Sequence, residues 1–293
     1  MCGSERAQDT LRQTLPAARR RLESADISMP ELEAAELVAC ALGIDRRHIP
    51  ALPGRPVTAA ERERLSALLA RRLAGEPLAY LLGEWDFYGI TLRVTPDVLI
   101  PRSDTERLCE LAIQTARPQP APRVLDLCSG SGCIGLALLH EVPQARAVAV
   151  DISPAALAVA GENAGRLGLA GRYQCVQASA LAPPAEAYRD TFDLMVCNPP
   201  YITADEMRAL DPDVADYEPH LALYGGEDGL DFYRAVTRAW VQAVRPGGAI
   251  FFECGWKQGE AVAAVCRAAD LDAVRVENDY AGVPRIVCAV RPG

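Results

Sequence analysis

The chain has 293 residues, 50% of them hydrophobic and 24% charged, which is enough for two modest domains of ordinary globular composition. Its formal net charge of −9 weighs against a dedicated duplex-DNA binder, which presents a basic surface, and no apolar run reaches the roughly 18 residues of a membrane span. Ten scattered cysteines without a CxxC pair, and three histidines far apart (His48, His140, His220), predict neither a disulfide framework nor a metal site. The opening MCGSERAQDTLRQ lacks the basic-then-apolar layout of a secretory leader, so the expected setting is cytoplasmic.

The first eighty residues carry a net charge of +1 and the remainder −10. Lys257 is the only lysine, and clusters such as Arg19-Arg20-Arg21 read as solvated helix faces rather than nucleic-acid contacts. Helices are expected throughout this region. Ser28-Met29-Pro30-Glu31 has the form of a capping box ahead of Leu32, Ala35, Leu37 and Leu42, with Gly43 as the stop. Thr58-Ala59-Ala60-Glu61 repeats the device, Leu65, Leu68, Leu69 and Leu73 mark one face, and Gly75 ends it.

The texture changes at DFYGITLRVTPDVLIPRS, residues 86–103, where β-branched and aromatic residues around Gly89 and Thr95-Pro96-Asp97 predict a short hairpin in a linker position. Pro118 to Pro122 reads as a connection into a first strand. From Arg123 onward apolar strands alternate with helical stretches: RVLDL, AVAVDI, FDLMVCN, GGAIFFECG, AVRVEN and RIVCAV. That alternation predicts a doubly wound α/β sheet with ligand sites at the carboxyl ends of its strands.

Asp126-Leu127-Cys128-Ser129-Gly130-Ser131-Gly132-Cys133-Ile134-Gly135 lies between a strand and a helix, and its glycines satisfy GxGxxG. Asp151 ends the next strand, where it can accept hydrogen bonds from two ribose hydroxyls. The pair alone suits a nicotinamide cofactor as well as a nucleoside. Asp126 at the end of the first strand would repel a pyrophosphate and could orient a cationic amino group. That tilts the reading toward S-adenosyl-L-methionine, which has no phosphates and is cationic at sulfur.

Asn198-Pro199-Pro200-Tyr201 closes the strand FDLMVC. An amide nitrogen is a poor nucleophile because its lone pair is delocalised, so it needs orientation more than it needs a base. The Asn198 side-chain oxygen and the Pro199 carbonyl can each accept one hydrogen of a substrate amine. The prolines fix φ near −65° and preorganise those acceptors. Tyr201 offers a flat surface for a planar amide or base. In-line attack on a sulfonium methyl then rests on proximity and alignment, with no metal.

With these motifs in place, the sequence resembles the HemK/PrmC family of protein-glutamine N5-methyltransferases. The likeness runs through GEPLAYLLGEWDFYG, VLIPRSDTE, VLDLCSGSG, VDISPAALAVAGENA, FDLMVCNPPYI, YEPHLALYGGEDGLDFYR, VRPGGAIFFECG and AGVPRIV. It implies a Rossmann-like class I methyltransferase domain with a seven-stranded sheet, preceded by a small N-terminal helical bundle. The implied division is a helical substrate-docking domain over 1–84, a β-hairpin linker over 85–103 and a methyltransferase domain over 104–293. The implied activity is transfer of a methyl from S-adenosyl-L-methionine to the glutamine of the Gly-Gly-Gln motif in class-1 peptide chain release factors. Asn198, Pro199, Pro200 and Tyr201 would hold the side-chain amide, with Asn198, Pro199 and Tyr201 catalytic. Asp126, Cys128, Ser129, Gly130, Ser131, Gly132, Asp151, Ile152 and Asn198 would face the cofactor. No direct contact with nucleic acid or membrane is implied.

Three positions depart from the family pattern: Cys128 replaces a loop glycine, Ser103 a proline, and QASAL (residues 177–181) lacks an expected acid. A ribosomal-protein glutamine methyltransferase and a DNA adenine N6-methyltransferase are the alternatives, since both use the same Asn-Pro-Pro-Tyr. DFYG and SDTE favour release factors, and the acidic second half disfavours DNA.

Overall fold

The computed structural model describes residues 9–293, so residues 1–8 of the leader reading and of the 1–84 domain lie outside the described residues. The chain forms two compact units that meet in sequence between Gly83 and Glu84. The first unit comprises helices α1 (Leu11–Glu23), α2 (Pro30–Leu42), α3 (Ala59–Leu73) and α4 (Leu78–Leu82), with a 3₁₀ segment over Arg46–Ala51. Its core gathers Leu11, Leu22, Leu37, Val38, Leu65, Leu69 and Leu81. The Thr58 box forms as expected: Glu61 N–H donates to Thr58 Oγ1 at 3.2 Å and Thr58 N–H to Glu61 Oε2 at 2.8 Å. The Arg55 guanidinium adds to that cap and holds the Glu61 carboxyl down at about 2.

The Ser28 box does not form. Pro30 occupies the first helical position, which makes Met29 the N-cap, and Met29 has no side-chain acceptor. The buried face of α2 is Ala34, Leu37, Val38 and Ala41 at helical spacing, and Leu32 lies outside it, exposed. Gly43 ends the helix at φ 63°.

The second unit opens with an antiparallel hairpin, β1 (Glu84–Phe87) and β2 (Ile90–Arg93), turning through Tyr88 and Gly89 at φ 45° and 78°. Phe87, Ile90 and Leu92 are buried in one cluster with Leu108, Ile113 and Leu136, so the hairpin is packed into this unit. Then follow α5 (Thr105–Ala116), β3 (Arg123–Leu127), α6 (Cys133–Glu141), β4 (Arg146–Asp151), α7 (Pro154–Arg166), β5 (Tyr173–Gln177) and β6 (Phe192–Cys197). The short α8 (Ala204–Met207) and α9 (Pro212–Ala215) precede α10 (Asp231–Ala239), β7 (Val244–Glu253), α11 (Gly259–Ala268), β8 (Asp272–Asn278) and β9 (Pro284–Val290).

The large sheet has the order β5-β4-β3-β6-β7-β9-β8, parallel except for β9, which runs antiparallel to both of its neighbours. Side chains alternate along its strands: Val124, Leu194 and Val196 enter one cluster, while Leu125, Leu127, Met195 and Cys197 enter the other. Both faces are therefore covered, which is why the strands read as nearly unbroken apolar runs. The seventh strand, β5, carries Gln174 and Gln177 at the sheet edge and gave no such run. The chain leaves β3 in one direction and returns at β6 on its other side, so a crevice opens between their carboxyl ends. No helix among the described residues is long and apolar enough to cross a membrane.

Candidate active site

The loop after β3 is shaped by its backbone. Cys128, Gly130 and Gly132 have φ of 60°, 53° and 82°. At Gly132 a β-carbon would lie 2.7 Å from the Tyr173 hydroxyl, and at Gly135 one would lie 2.5 Å from Asp126 Oδ2. Packing requires both glycines, and the left-handed turn requires Gly132 as well. Cys128 carries its side chain at a left-handed φ, a local strain on the order of 1–2 kcal/mol. Asp151 braces the loop: Oδ2 accepts Gly130 N–H at 2.9 Å and Oδ1 accepts Ser153 N–H at 2.9 Å. Each carboxylate oxygen keeps a further lone pair for a hydroxyl.

Asp126 departs from its expected role. It is 1% exposed, and Oδ2 accepts Gly135 N–H at 3.1 Å and the Tyr173 hydroxyl at 3.2 Å. Burial pushes its carboxyl up to about 7 against those two hydrogen bonds. It supports the loop from beneath and is not among the residues that line the cavity. A strand-end acid can project to either face of the sheet; here the α6 side, where Gly135 leaves room, receives it.

The cavity at the carboxyl ends of β3, β4 and β6 brings together Cys128, Ser129, Gly130, Ser131, Asp151, Ile152, Asn198 and Pro200. Gly132, Pro199 and Tyr201 sit behind this lining. Ala178, Ser179, Ala180 and Leu181 give the segment after β5 an apolar wall, with Val150, Ala156 and Phe232 nearby. Pro101, Arg102 and Thr105, from the PRSDTE segment that the family resemblance places around the site without individual roles, also line it, as do Asp97, Val98, Leu99, Pro219, Leu221 and Ala222, which the sequence did not single out. VLIPRSDTE and YEPHLA meet there because Arg102 pairs with the buried Glu218, whose Oε2 also accepts Ile100 N–H at 3.4 Å. The departing Ser103 is exposed, in the turn before α5, and its carbonyl accepts Glu106 N–H at 3.1 Å.

This lining fits S-adenosyl-L-methionine better than a dinucleotide. Arg102 is the only cation among the lining residues, and Glu218 neutralises it, so a pyrophosphate would meet carboxylates without a counter-charge. Ser129 Oγ is buried in the loop with no hydrogen-bond partner among the described residues, a polar atom left available to a ligand. Residues of this kind would hold a ribose at Asp151, a purine between Ile152 and Leu181, and a polar tail at the loop. Among the described residues no group of three or more His, Cys, Asp or Glu is placed to hold a metal ion.

At the end of β6, Asn198 Nδ2 lies 3.5 Å from Thr105 Oγ1, long for a hydrogen bond, and its amide is among the groups that favour the ionised form of the buried Glu253 carboxyl. Tyr201 packs partly buried against the cluster below the sheet, and burial raises its hydroxyl. Its backbone is fixed on two sides. Gln258 Nε2 donates to Tyr201 O at 2.9 Å, and a β-carbon on Gly225 would lie 2.6 Å from both Pro200 O and Tyr201 Cα. LALYGG therefore clamps the Asn-Pro-Pro-Tyr corner, with Ile202 N–H donating to Leu223 O and Gly225 N–H to Ile202 O, each at 2.9 Å.

Two family models match the chain: a PrmC N-terminal domain over residues 13–83 and a methyltransferase small domain over residues 106–213. The release factor glutamine methyltransferase of Cereibacter sphaeroides is 44% identical over 287 residues, covering 98% of this chain and 99% of that protein. The protein of the same name from Bradyrhizobium diazoefficiens is 42% identical over 285 residues, covering 94% and 95%. A solved release-factor-specific protein-(glutamine-N5) methyltransferase from Alicyclobacillus acidocaldarius is 30% identical and covers 69% of this chain and 100% of that one. The TM-score between the two is 0.40.

Proposed function

The chain belongs to the release factor glutamine methyltransferase family, and from that premise we propose that it methylates N5 of the glutamine in the Gly-Gly-Gln motif of class-1 peptide chain release factors, with S-adenosyl-L-methionine as donor. The observation that carries the reading is the placement of Asn198 and the glycine loop on one cavity, across the switch point between β3 and β6.

When bound, S-adenosyl-L-methionine supplies a methyl group made electrophilic by a positively charged sulfur. The chain's own residues do the rest. Asp151 accepts the ribose hydroxyls while its backbone partners hold the loop in shape. Asn198 Oδ1 and the Pro199 carbonyl accept the two hydrogens of the glutamine amide, which turns the nitrogen lone pair toward the methyl and stabilises the positive charge that grows there. The new nitrogen–carbon bond replaces the carbon–sulfur bond, whose electrons stay on a neutral thioether, and one amide hydrogen is then released as a proton to solvent. Pro200 forms the surface beside that amide with Tyr201 behind it, and their fixed backbone spares reorganisation during the reaction. The helical unit over residues 1–84 docks the protein substrate. Its described part is held by its own core and by the Arg72–Glu33 pair at 2.6 Å.

The test is a labelled-methyl assay on a purified release factor, its Gln-substituted version, ribosomal protein and DNA. Label on the intact release factor alone is the expected result. Label on ribosomal protein or DNA in its place would overturn the reading.

A further inference from the structure

Glu253 ends β7, beside β6, and is 1% exposed. Its backbone is fixed: its carbonyl accepts the Tyr233 hydroxyl at 2.8 Å, and it pairs with Ile286 on β9. Sheet register pairs Cys197 with Phe252 and so brings Glu253 beside Asn198; the Thr105 hydroxyl and the Asn198 amide both favour its ionised form, while Oε2 has no hydrogen-bond partner among the described residues. Such a group is costly to keep in a core and has no ion pair at contact distance in return.

The geometry points to Glu253 as a positioning residue that, together with Thr105, fixes and polarises the Asn198 amide; this deepens the proposed glutamine reading and rests on it. A terminal amide has two orientations related by a flip, and only one presents its oxygen to the cavity. Thr105 Oγ1 and the Glu253 carboxylate are both acceptors for Nδ2, so the nitrogen is committed to the protein side. Oδ1 is then left for the cavity that Asn198 lines. A negative charge behind Nδ2 draws electron density toward Oδ1, making it a stronger acceptor where positive charge develops on the substrate nitrogen.

The arrangement is sensitive to pH. Burial raises the Glu253 carboxyl to about 7, with Arg285 on β9 opposing that shift and Asp104 ahead of α5 adding to it. Arg285 is itself shared with Asp104 at 3.1 Å and Asp279 at 3.3 Å. The other titratable neighbours, Tyr201, Tyr233, Cys133 and Cys254, are pushed upward by burial and stay neutral near pH 7. Asp126 titrates in the same range, but its partners are Gly135 and Tyr173. Ionised Glu253 accepts from Asn198; protonated Glu253 gives up the charge and one acceptor. Turnover should therefore fall as pH drops through about 7.

The chain has three asparagines, Asn163, Asn198 and Asn278, so ¹⁵N-asparagine labelling yields three side-chain amide signals. The expected result in the wild-type protein is an Asn198 amide that shifts with a midpoint near pH 7. In Glu253→Gln that titration is lost, while any signature of Asp126 survives. Turnover of Glu253→Gln should drop about 10–100-fold, the range of one hydrogen bond to a charged group, with cofactor affinity within twofold and a flat acid limb. Thr105→Val should lower turnover in the same direction, and Thr105→Ser should restore it. An Asn198 signal that ignores pH in the wild type, or Glu253→Gln with unchanged turnover, would overturn the assignment. If the wild-type enzyme leaves release-factor glutamine unmodified while the Asn198 signal still follows Glu253, the substrate reading fails and the positioning role stands.

Discussion

Along the β3–β4 rim of the cavity, the ligand-facing groups are backbone and one carboxylate, and their braces are close by: Ser153 is two residues from Asp151, and Gly130 is 21. Along the β6–β7 rim the key group is a single side-chain amide, and its brace, Thr105, is 93 residues away. In the proposed function the first rim binds and the second orients. Affinity and rate should therefore be separable by mutation, with each rim failing in its own way.

The sharpest way to break that division is Asn198→Ala. Turnover should fall roughly 10²–10³-fold, as when one preorganised group is removed from a developing charge, with cofactor affinity in calorimetry unchanged. Turnover within threefold of wild type would end the orienting role. On the other rim, Gly132→Ala places a β-carbon 2.7 Å from the Tyr173 hydroxyl at φ 82°. It should cost about 2–3 kcal/mol in chemical denaturation, from overpacking together with a left-handed β-carbon. Asp151→Ala should weaken cofactor binding by about 1.5–3 kcal/mol, the range for hydrogen bonds to a charged group, and leave turnover at saturation nearly intact. If Asp151→Ala lowered turnover as far as Asn198→Ala does, the two rims would be one unit.

A smaller effect concerns Asp126. Its folded-state value, about 7, lies above the ordinary 3.8, so the native state binds the proton more tightly than the unfolded chain. Its contribution is fully present below about pH 4 and is lost as pH rises toward 7. Asp126→Asn keeps an oxygen for Gly135 and Tyr173 and cannot ionise. Urea titrations at pH 8 should show it more stable than wild type by about 1–2 kcal/mol, with the advantage gone near pH 4. An equal gain at both pH values would contradict the burial account.

The same contrast explains what could be read from the residues alone. The glycine loop, Asp151 and the Asn-Pro-Pro-Tyr corner are contiguous strings, and the strands that carry them are apolar runs covered on both faces. Thr105 and Glu253 sit in segments that read as a helix start and the last residue of a strand, and nothing local says that they meet Asn198. Asp126 looked like a ligand contact because strand ends at the switch point usually are; only the space left by Gly135 shows that it turns inward. Ser28 failed as a cap because Pro30 fixes the helix start one residue later than the box requires. β5 escaped notice because an edge strand with two glutamines has no continuous apolar stretch.

The most direct test of the clasp on the glutamine amide is single-turnover methyl transfer to a release factor whose Gly-Gly-Gln glutamine is replaced by asparagine. That residue presents the same amide one methylene short. If Asn198 Oδ1 and the Pro199 carbonyl hold the amide by both of its hydrogens, the shortened side chain cannot reach them and transfer should disappear. Transfer at the wild-type rate would show that the amide is not held there.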